Sequence, residues 1–422
     1  MRLPRSAERW ISAGVLLYAF ALVFRRLFYL PVVAAKVQPP EWIFLFLGPL
    51  ALVVLGRRLW PGVSWLLGGL LLYLGALTVS ALRVGETGTL LEALGRWYLL
   101  LLFFLVGWYV RTGGRRGVER LLWAWTWGCV VMFLVAYVGY GLALAGVSYR
   151  WVSVYENYPY FGTVIRAGSV AGGATPVAVL GMLPLAWHWR RWRTGRGGAW
   201  FLVLAAPILF LTYAKEVLLV GLACAIADPL LERRRWLAVV LAIGVAGIYW
   251  GSTHYLVEPV HDYTEGELTG VVYNSGNVVV RTPTFQLTET SYTSIKRGCL
   301  AAFRANPLLG IGPDQLEHFM PTAKAEGVYP VHLPNYTPHS TYFGAIAETG
   351  LLGTLGLGLF LVGCVRAYRR AVHLPEAARL ALAGFGVAFL IGGLCMDLMH
   401  LRFIWVGVGV LLGGMELRKT PV

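Results

Sequence analysis

The sequence has 422 residues, of which 57% are hydrophobic and only 14% are charged, and its formal net charge at pH 7 is +15. This composition is too apolar for an ordinary soluble domain and indicates a membrane protein. The positive charge falls mainly in alternate connections between apolar runs. We therefore interpret it as a topology signal and expect no nucleic-acid partner.

Apolar runs recur along nearly the whole chain, at the length that a helix needs to cross a hydrocarbon core of about 30 Å. They predict an all-α polytopic membrane protein with about twelve transmembrane helices. The predicted spans are residues 10–30, 41–56, 62–82, 92–110, 121–147, 168–189, 199–214, 217–231, 236–252, 341–363, 379–396 and 402–416.

The distribution of basic residues predicts the orientation, because Lys and Arg are retained on the cytoplasmic side. With the amino terminus inside, most of the 36 Lys and Arg residues fall in cytoplasmic connections, together with few of the 21 acidic residues. Arg57, Arg58 and the arginines at 190–196 are examples. We predict that both termini are cytoplasmic.

The chain divides into residues 1–252 with nine spans, a periplasmic loop of residues 253–340, and residues 341–422 with three spans. A loop of this length in a compact protein is usually functional. Within it, "VVYNSGNVVVR" predicts a hairpin around Asn-Ser-Gly. "SYTSIKRGCLAAFRANP" predicts an amphipathic helix that ends at Asn306-Pro307, lies on the membrane and projects Arg297 and Arg304 from one side.

The stretch "NPLLGIGPDQ" follows this helix and predicts a stiff, apolar turn. Pro307, Gly310, Gly312 and Pro313 exclude a regular helix. We expect Leu308, Leu309 and Ile311 to rest on the membrane surface.

Residues 148–167 are rich in aromatic side chains. They fit an interfacial aromatic belt, which is common at the membrane surface, and they also fit a platform on which a sugar stacks. The aromatic residues are Tyr149, Trp151, Tyr155, Tyr158, Tyr160 and Phe161.

Several charged residues stand at span ends that face the same predicted side as the long loop. A charge inside a span is costly, and either snorkelling, an internal ion pair or a ligand explains it. These residues are Arg25, Arg26, Arg166, Lys215, Glu216, Asp397, His400 and Arg402. Together they favour an anionic ligand such as a diphosphate, for which Arg281, Arg297 and Arg304 of the loop are further candidates.

His339 stands at the entrance of the tenth span, immediately after Pro338. An imidazole suits a general base at neutral pH, although a histidine at a helix start is also a common cap. Glu348, nine residues later, either orients a partner or pairs with an arginine. Asp314, Glu317, His318 and His332 lack the spacing of a known ligand set, so we expect no metal site and no cofactor.

Three stretches resemble the O-antigen ligase and O-antigen polymerase family of bacterial membrane glycosyltransferases. They are "RAGSVAGGATPVAVLGMLPL" from Arg166, "NPLLGIGPDQ" after the Arg297 helix, and "HSTYFGAIAETGLLGTLG", whose pattern includes His339, Ser340, Tyr342 and Glu348. The chain has "YAKE" where the family often has Ser-Arg-Gly, so Lys215 stands in place of an arginine.

The resemblance implies a C-type glycosyltransferase (GT-C) architecture in the inner membrane, with its active site facing the periplasm. It implies an inverting, metal-independent transfer of a glycan from undecaprenyl diphosphate to the hydroxyl of a glycan or glycolipid acceptor. His339 would be the base, with Ser340, Tyr342 and Glu348 in support. The diphosphate would be bound by Arg166, Lys215, Arg281, Arg297 and Arg304. Membrane lipids would surround the protein, and the resemblance leaves open whether a chain-length regulator is also a partner.

Acceptor choice divides the family, and the sequence leaves three hypotheses. A ligase passes the glycan to the lipid A core, and we favour it slightly over a polymerase that joins lipid-linked repeats. A transporter of lipid-linked glycans is the more distant alternative, which predicts broken helices in paired halves of the chain.

Overall fold

The computed structural model describes residues 5–25, 38–55, 64–147, 150–158, 162–260 and 274–417. The described chain is mostly helical, as predicted. Its helices are α1 (Arg5–Ala21), α2 (Pro39–Leu55), α3 (Ser64–Val84), α4 (Thr87–Leu144), α5 (Ala174–Arg193), α6 (Ala199–Leu211), α7 (Val217–Ile226), α8 (Pro229–Arg233), α9 (Arg235–His254), α10 (Ser291–Ala305), α11 (Leu316–Ala325), α12 (Thr341–Arg370), α13 (Glu376–Gly392) and α14 (Arg402–Met415). Arg26, Arg57, Arg58, Tyr149, Tyr160 and Phe161 lie outside the described residues.

Each predicted span overlaps a described helix, although residues 26–30 of the first span lie outside the described part. The fourth and fifth spans fall together on α4, which is interrupted at Gly114, and the eighth is divided between α7 and α8. Among the described helices, α4, α9, α12 and the part of α3 from Trp65 onward are long and apolar enough to cross a membrane. Three shorter apolar helices are α6, α7 and α14. These features agree with an all-α membrane protein, while the number of twelve spans and the GT-C architecture stay predictions.

Helices α3 and α12 pack at backbone contact distance. A Cβ added to Gly69 would lie 2.3 Å from the Phe360 nitrogen, and one added to Gly356 would lie 2.4 Å from the Tyr73 nitrogen. Glycine allows this approach because it has no side chain between the two backbones. Lipid does not drive helices together, so their association depends on such close packing. The α3–α12 pair forms the frame on which the site described below is built.

Two small antiparallel sheets lie in the connections. In the first, β1 (Ser153–Tyr158) pairs with β2 (Gly162–Arg166). In the second, the strand order is β3 (Tyr255–Pro259), β5 (Phe285–Thr290), β4 (Asn274–Arg281).

The predicted position of the hairpin turn, at Asn-Ser-Gly, is wrong. These three residues lie within β4, where the pairing with β5 is irregular between Asn274 and Val278. The chain reverses instead between Arg281 and Phe285, where Thr282 hydrogen-bonds the Phe285 carbonyl. The partner strand therefore follows Asn-Ser-Gly in the chain, and residues 271–273 lie outside the described part.

Helix α10 forms as predicted and is followed by Asn306. Its apolar face does not lie on a membrane surface, because Ile295, Cys299 and Ala302 are buried in a core with residues of α11 and α12. The helical period correctly identified this face, but protein and not lipid covers it.

Candidate functional site

Helix α12 is interrupted at Gly350, whose backbone has φ 62° and ψ −157°. Such an interruption leaves backbone carbonyl and N–H groups without their helical partners, which is costly in an apolar environment. The turn at 307–312 supplies the missing partners. The Ile311 and Gly312 N–H groups donate to the carbonyls of Ala347 and Glu348 at 2.9 and 3.0 Å.

The same turn also accepts hydrogen bonds from α12. Leu351 and Leu352 donate their N–H groups to the carbonyls of Pro307 and Leu308 at 2.9 and 3.3 Å. Four hydrogen bonds therefore run between the interrupted helix and the turn. The Pro-Leu-Leu-Gly-Ile-Gly segment thus replaces the missing turn of α12.

Glycine is required at the centre of this contact. Gly310 has φ 68°, and a Cβ there would lie 2.3 Å from the Glu348 carbonyl carbon. Arg83 of α3 holds the other side of the turn by donating to the Gly310 carbonyl and to Asn306 Oδ1, the latter at 3.1 Å. The expectation that Ile311 rests on the membrane surface is wrong, because it is buried against α10 and α12, whereas Leu308 is 57% exposed.

The entrance of α12 holds His339 in an unusual backbone conformation. His339 has φ 45°, in the left-handed region that side chains other than glycine rarely adopt. Ser340 caps the helix by accepting a hydrogen bond from the Phe343 N–H, so His339 is not the cap. Strain of this kind is concentrated at functional sites, where the surrounding structure maintains it.

The segment around His339 is fastened to the connection between α13 and α14. Thr341 donates its N–H to the carbonyls of Gly393 and Met396, and its hydroxyl accepts from the Leu398 N–H at 2.9 Å. The Ser340 hydroxyl donates to Gly393, and the Tyr342 hydroxyl donates to the Leu390 carbonyl. Through these contacts, Ser340 and Tyr342 hold the backbone next to His339 in place.

The imidazole of His339 lies between two aromatic rings, with ring centroids 5.6 Å from Tyr292 and 5.8 Å from Tyr336. Burial lowers the pKa of His339, and the nearby negative charge of Asp397 partly opposes this shift. The ring is therefore neutral at pH 7 and can accept a proton.

His339 and Glu348 line one cavity of about 500 Å³. Its wall comes from α4, α5, α10, α12, the turn before α7, the segment 337–339 before α12 and the α13–α14 connection, together with Arg25 and Asp314. The acidic residues that line it are Glu92, Glu216, Asp314, Glu348 and Asp397, and the basic and imidazole residues are Arg25, Arg96, His339 and His400. Among the described residues, no group of three acidic, histidine or cysteine side chains is placed to hold a metal ion.

Arg96 is the most buried cation of this cavity, with 7% of its surface exposed. Its Nη2 atom contacts Glu92 at 3.0 Å and Asp397 at 3.4 Å. Its Nε and Nη1 atoms have no hydrogen-bond partner in the described part of the chain. Our sequence reasoning missed Arg96, although an arginine inside the predicted span 92–110 was a usable signal.

Asp397 is held close to Arg96 and to His400, whose Nδ1 lies 2.9 Å away. Burial by itself would raise the pKa of the Asp397 carboxyl, but the interactions with His400 and Arg96 outweigh it and hold the pKa well below its usual range. Arg402 forms an ion pair with Glu41 and does not line the cavity, so the internal ion pair explains it.

The five predicted diphosphate-binding cations are not gathered in the cavity lining. Lys215 lies close to the lining, with Nζ 5.4 Å from the ring of Tyr292, which does line the cavity. Burial lowers the pKa of Lys215, the charge of Glu216 opposes this shift, and that of Arg166 adds to it. Arg166 donates from Nε to the Thr212 carbonyl at 2.9 Å.

The three cations predicted from the loop lie away from the cavity. Arg297 is paired with Glu289 at 2.9 Å and its side chain is 51% exposed. Arg281 on β4 and Arg304 on α10 are exposed. The buried cation of α10 is Lys296, one residue before Arg297.

Lys296 is 6% exposed, with Nζ 3.7 Å from the Trp250 ring centroid and in contact with His254 Nε2. Burial lowers its pKa to about 8. Its position with Tyr292 and Cys299 on one helical face was the signal that sequence reasoning did not use.

Residues 196–358 match the family model described as O-antigen ligase. The matched region includes Lys215, the long loop, the turn, His339 and Glu348, whereas Arg96 and Asp397 lie outside it. No curated protein matches the chain at a significant level.

Proposed function

Because residues 196–358 match the O-antigen ligase family model, we propose that the chain transfers a glycan from undecaprenyl diphosphate to an acceptor hydroxyl. The observation that carries this proposal is the placement of His339. A neutral imidazole on a strained backbone faces a polar cavity inside an apolar, helical protein.

His339 acts as the general base of this reaction. The acceptor hydroxyl loses its proton to the imidazole as its oxygen forms a bond to the anomeric carbon. The bond from that carbon to the diphosphate oxygen breaks, and the electron pair leaves on the diphosphate. Attack from the face opposite the leaving group inverts the anomeric centre.

Lys215, which lies beside the Tyr292 wall of the cavity, would receive the leaving diphosphate together with Arg166. The ammonium group of Lys215 is partly buried, and a bound anion would stabilise its charge. Fixed cations that stabilise charge as it develops on the leaving group lower the barrier. Arg281, Arg297 and Arg304 are not among the residues that line the cavity.

We propose that the acceptor is the lipid A core, which makes the protein a ligase of the inner membrane with its site facing the periplasm. The alternative is a polymerase that joins two lipid-linked repeats, together with a chain-length regulator. Purified protein incubated with lipid-linked glycan and each acceptor separately distinguishes them. Product formed only with a second lipid-linked repeat would overturn the ligase assignment.

Transport is a second candidate, because the interruption of α12 is a feature that transporters also use. Protein reconstituted in vesicles with labelled lipid-linked glycan separates the two functions. We expect His339→Gln to lower transfer by about 10²–10⁴-fold. His318→Gln on α11, outside the cavity lining, should keep full transfer, and full transfer by His339→Gln would count against His339 as the base.

A further inference from the structure

The cavity beside His339 is lined by more acidic than guanidinium groups. Among its described lining residues there are five carboxyl groups against two arginines, Arg25 and Arg96. Carboxylates of this wall that do not contact Arg96 disfavour a further anion such as a diphosphate. A sugar without charged groups is not repelled, and its hydroxyls donate hydrogen bonds to carboxyl oxygens.

The charge of Arg96 is already matched. Its Nη2 atom lies near both Glu92 and Asp397, so it is not available as the main counter-ion of a phosphate. Its Nε and Nη1 atoms are buried without a partner among the described residues. Buried N–H groups of this kind are satisfied when a bound molecule supplies acceptor oxygens, as a sugar does.

Glu348 is fixed at this wall by the interrupted helix. Its carbonyl accepts from Gly312 and from the Ser80 hydroxyl at 3.1 Å, and its carboxyl accepts from the Asp314 N–H at 3.3 Å. The turn therefore places two acidic side chains, Glu348 and Asp314, on the same wall as His339. An acceptor held there would present a hydroxyl to the base.

We propose that the acid-lined cavity is the acceptor subsite and that it selects sugars without acidic groups, an inference that rests on the proposed function. Arg96 supplies donors to the sugar oxygens, and Glu348 and Asp314 accept from its hydroxyls. The diphosphate then lies outside this subsite, on the side of Lys215.

The test compares two acceptors in a transfer assay at saturating lipid-linked donor. One is an oligosaccharide without charged groups, and the other is its counterpart with one sugar replaced by a uronic acid. We expect the wild type to prefer the first. In the double variant Glu348→Gln/Asp314→Asn, the preference should shift toward the acidic acceptor by roughly tenfold, with the KM for the donor unchanged.

Glu317→Gln is the matched control, because Glu317 is an exposed acid of α11 that does not line the cavity. It should keep the wild-type preference. A merely structural role of Glu348 would lower both activities together and leave their ratio unchanged, which would overturn the inference. An increased KM for the donor in the double variant would also overturn it.

Binding without donor separates failure of the inference from failure of the proposed function. A panel of trisaccharides of hexoses, 6-deoxyhexoses or N-acetylhexosamines is titrated into purified protein, with their uronic-acid counterparts. Saturable binding of an uncharged member, weakened in the double variant but not in Glu317→Gln, supports the subsite even if no transfer is found. Equal binding of the acidic members, or no binding of any member, overturns it.

Discussion

The backbone N–H of Ile311 donates a 2.9 Å hydrogen bond to the carbonyl of Ala347, a residue of the interrupted helix α12. Through this bond and its three neighbours, the turn of the long loop becomes part of the helix that begins beside His339. The loop and the helix are therefore one structural unit. Changes in the turn should reach the cavity through Glu348.

Gly350 is expected to be essential for this unit. A Cβ at this position would lie 2.5 Å from the Leu308 carbonyl carbon, and φ is 62°. Gly350→Ala should lower the free energy of unfolding by about 2 kcal/mol or more, because it combines backbone strain with a steric clash. Thermal unfolding in detergent measures it.

Gly358 of the same helix is the matched control, since a Cβ there meets nothing within 4 Å. Gly358→Ala should leave the unfolding temperature unchanged or raise it slightly. Equal unfolding temperatures for the two alanine variants would contradict the account of the helix interruption.

Arg83 should hold the turn in place. Arg83→Met removes the donors to the Gly310 carbonyl and Asn306 Oδ1. Amide protons of residues 308–312 should then exchange faster, because the free energy of opening the turn falls by about 1–3 kcal/mol. Hydrogen exchange with mass spectrometry measures this, and Arg196→Met in the α5–α6 connection is the control. Unchanged protection of the turn in Arg83→Met would show that Arg83 does not hold it.

The pH dependence of transfer should follow His339. The reactive form is the neutral imidazole, and its pKa is lowered below the usual 6.5 by burial. The rate should therefore be flat around pH 7 and fall only as the pH decreases through this lowered pKa.

Asp397→Asn removes the negative charge that raises the pKa of His339. It also leaves the charge of Arg96 less neutralised, which acts in the same direction. The acid limb of the rate profile should move to lower pH. Glu317→Gln should leave the limb in place, and a shift to higher pH in Asp397→Asn would refute the assignment of the limb to His339.

Arg96 should matter for both stability and transfer. Arg96→Leu removes the cation that contacts both Glu92 and Asp397 and should cost about 3 kcal/mol of unfolding free energy. Arg96→Lys keeps the charge and should fold better, but it lacks the planar donors and should bind the acceptor less tightly. Unfolding temperatures and the KM for the acceptor test the two effects, and equal stability of both variants would contradict the buried ion pair.

The sequence by itself determined the helices and the resemblance to the family whose model matches residues 196–358. Apolar runs long enough to span a bilayer coincide with described helices, because the length of such a run depends only on local composition. The period of α10 and its end at Asn306 followed from local signals in the same way. The resemblance that rested on the Pro-Leu-Leu-Gly turn and the His339 segment is confirmed by the family match.

Only the tertiary structure decided which charged side chains share the cavity. Arg297 and Lys296 are adjacent in sequence, yet one is half exposed and the other is buried, because neighbouring helical positions face about 100° apart. Arg96 and Asp397 are 301 residues apart and meet only through packing. The interruption of α12 is likewise stabilised by backbone groups of a distant turn, which no local pattern of the helix could reveal.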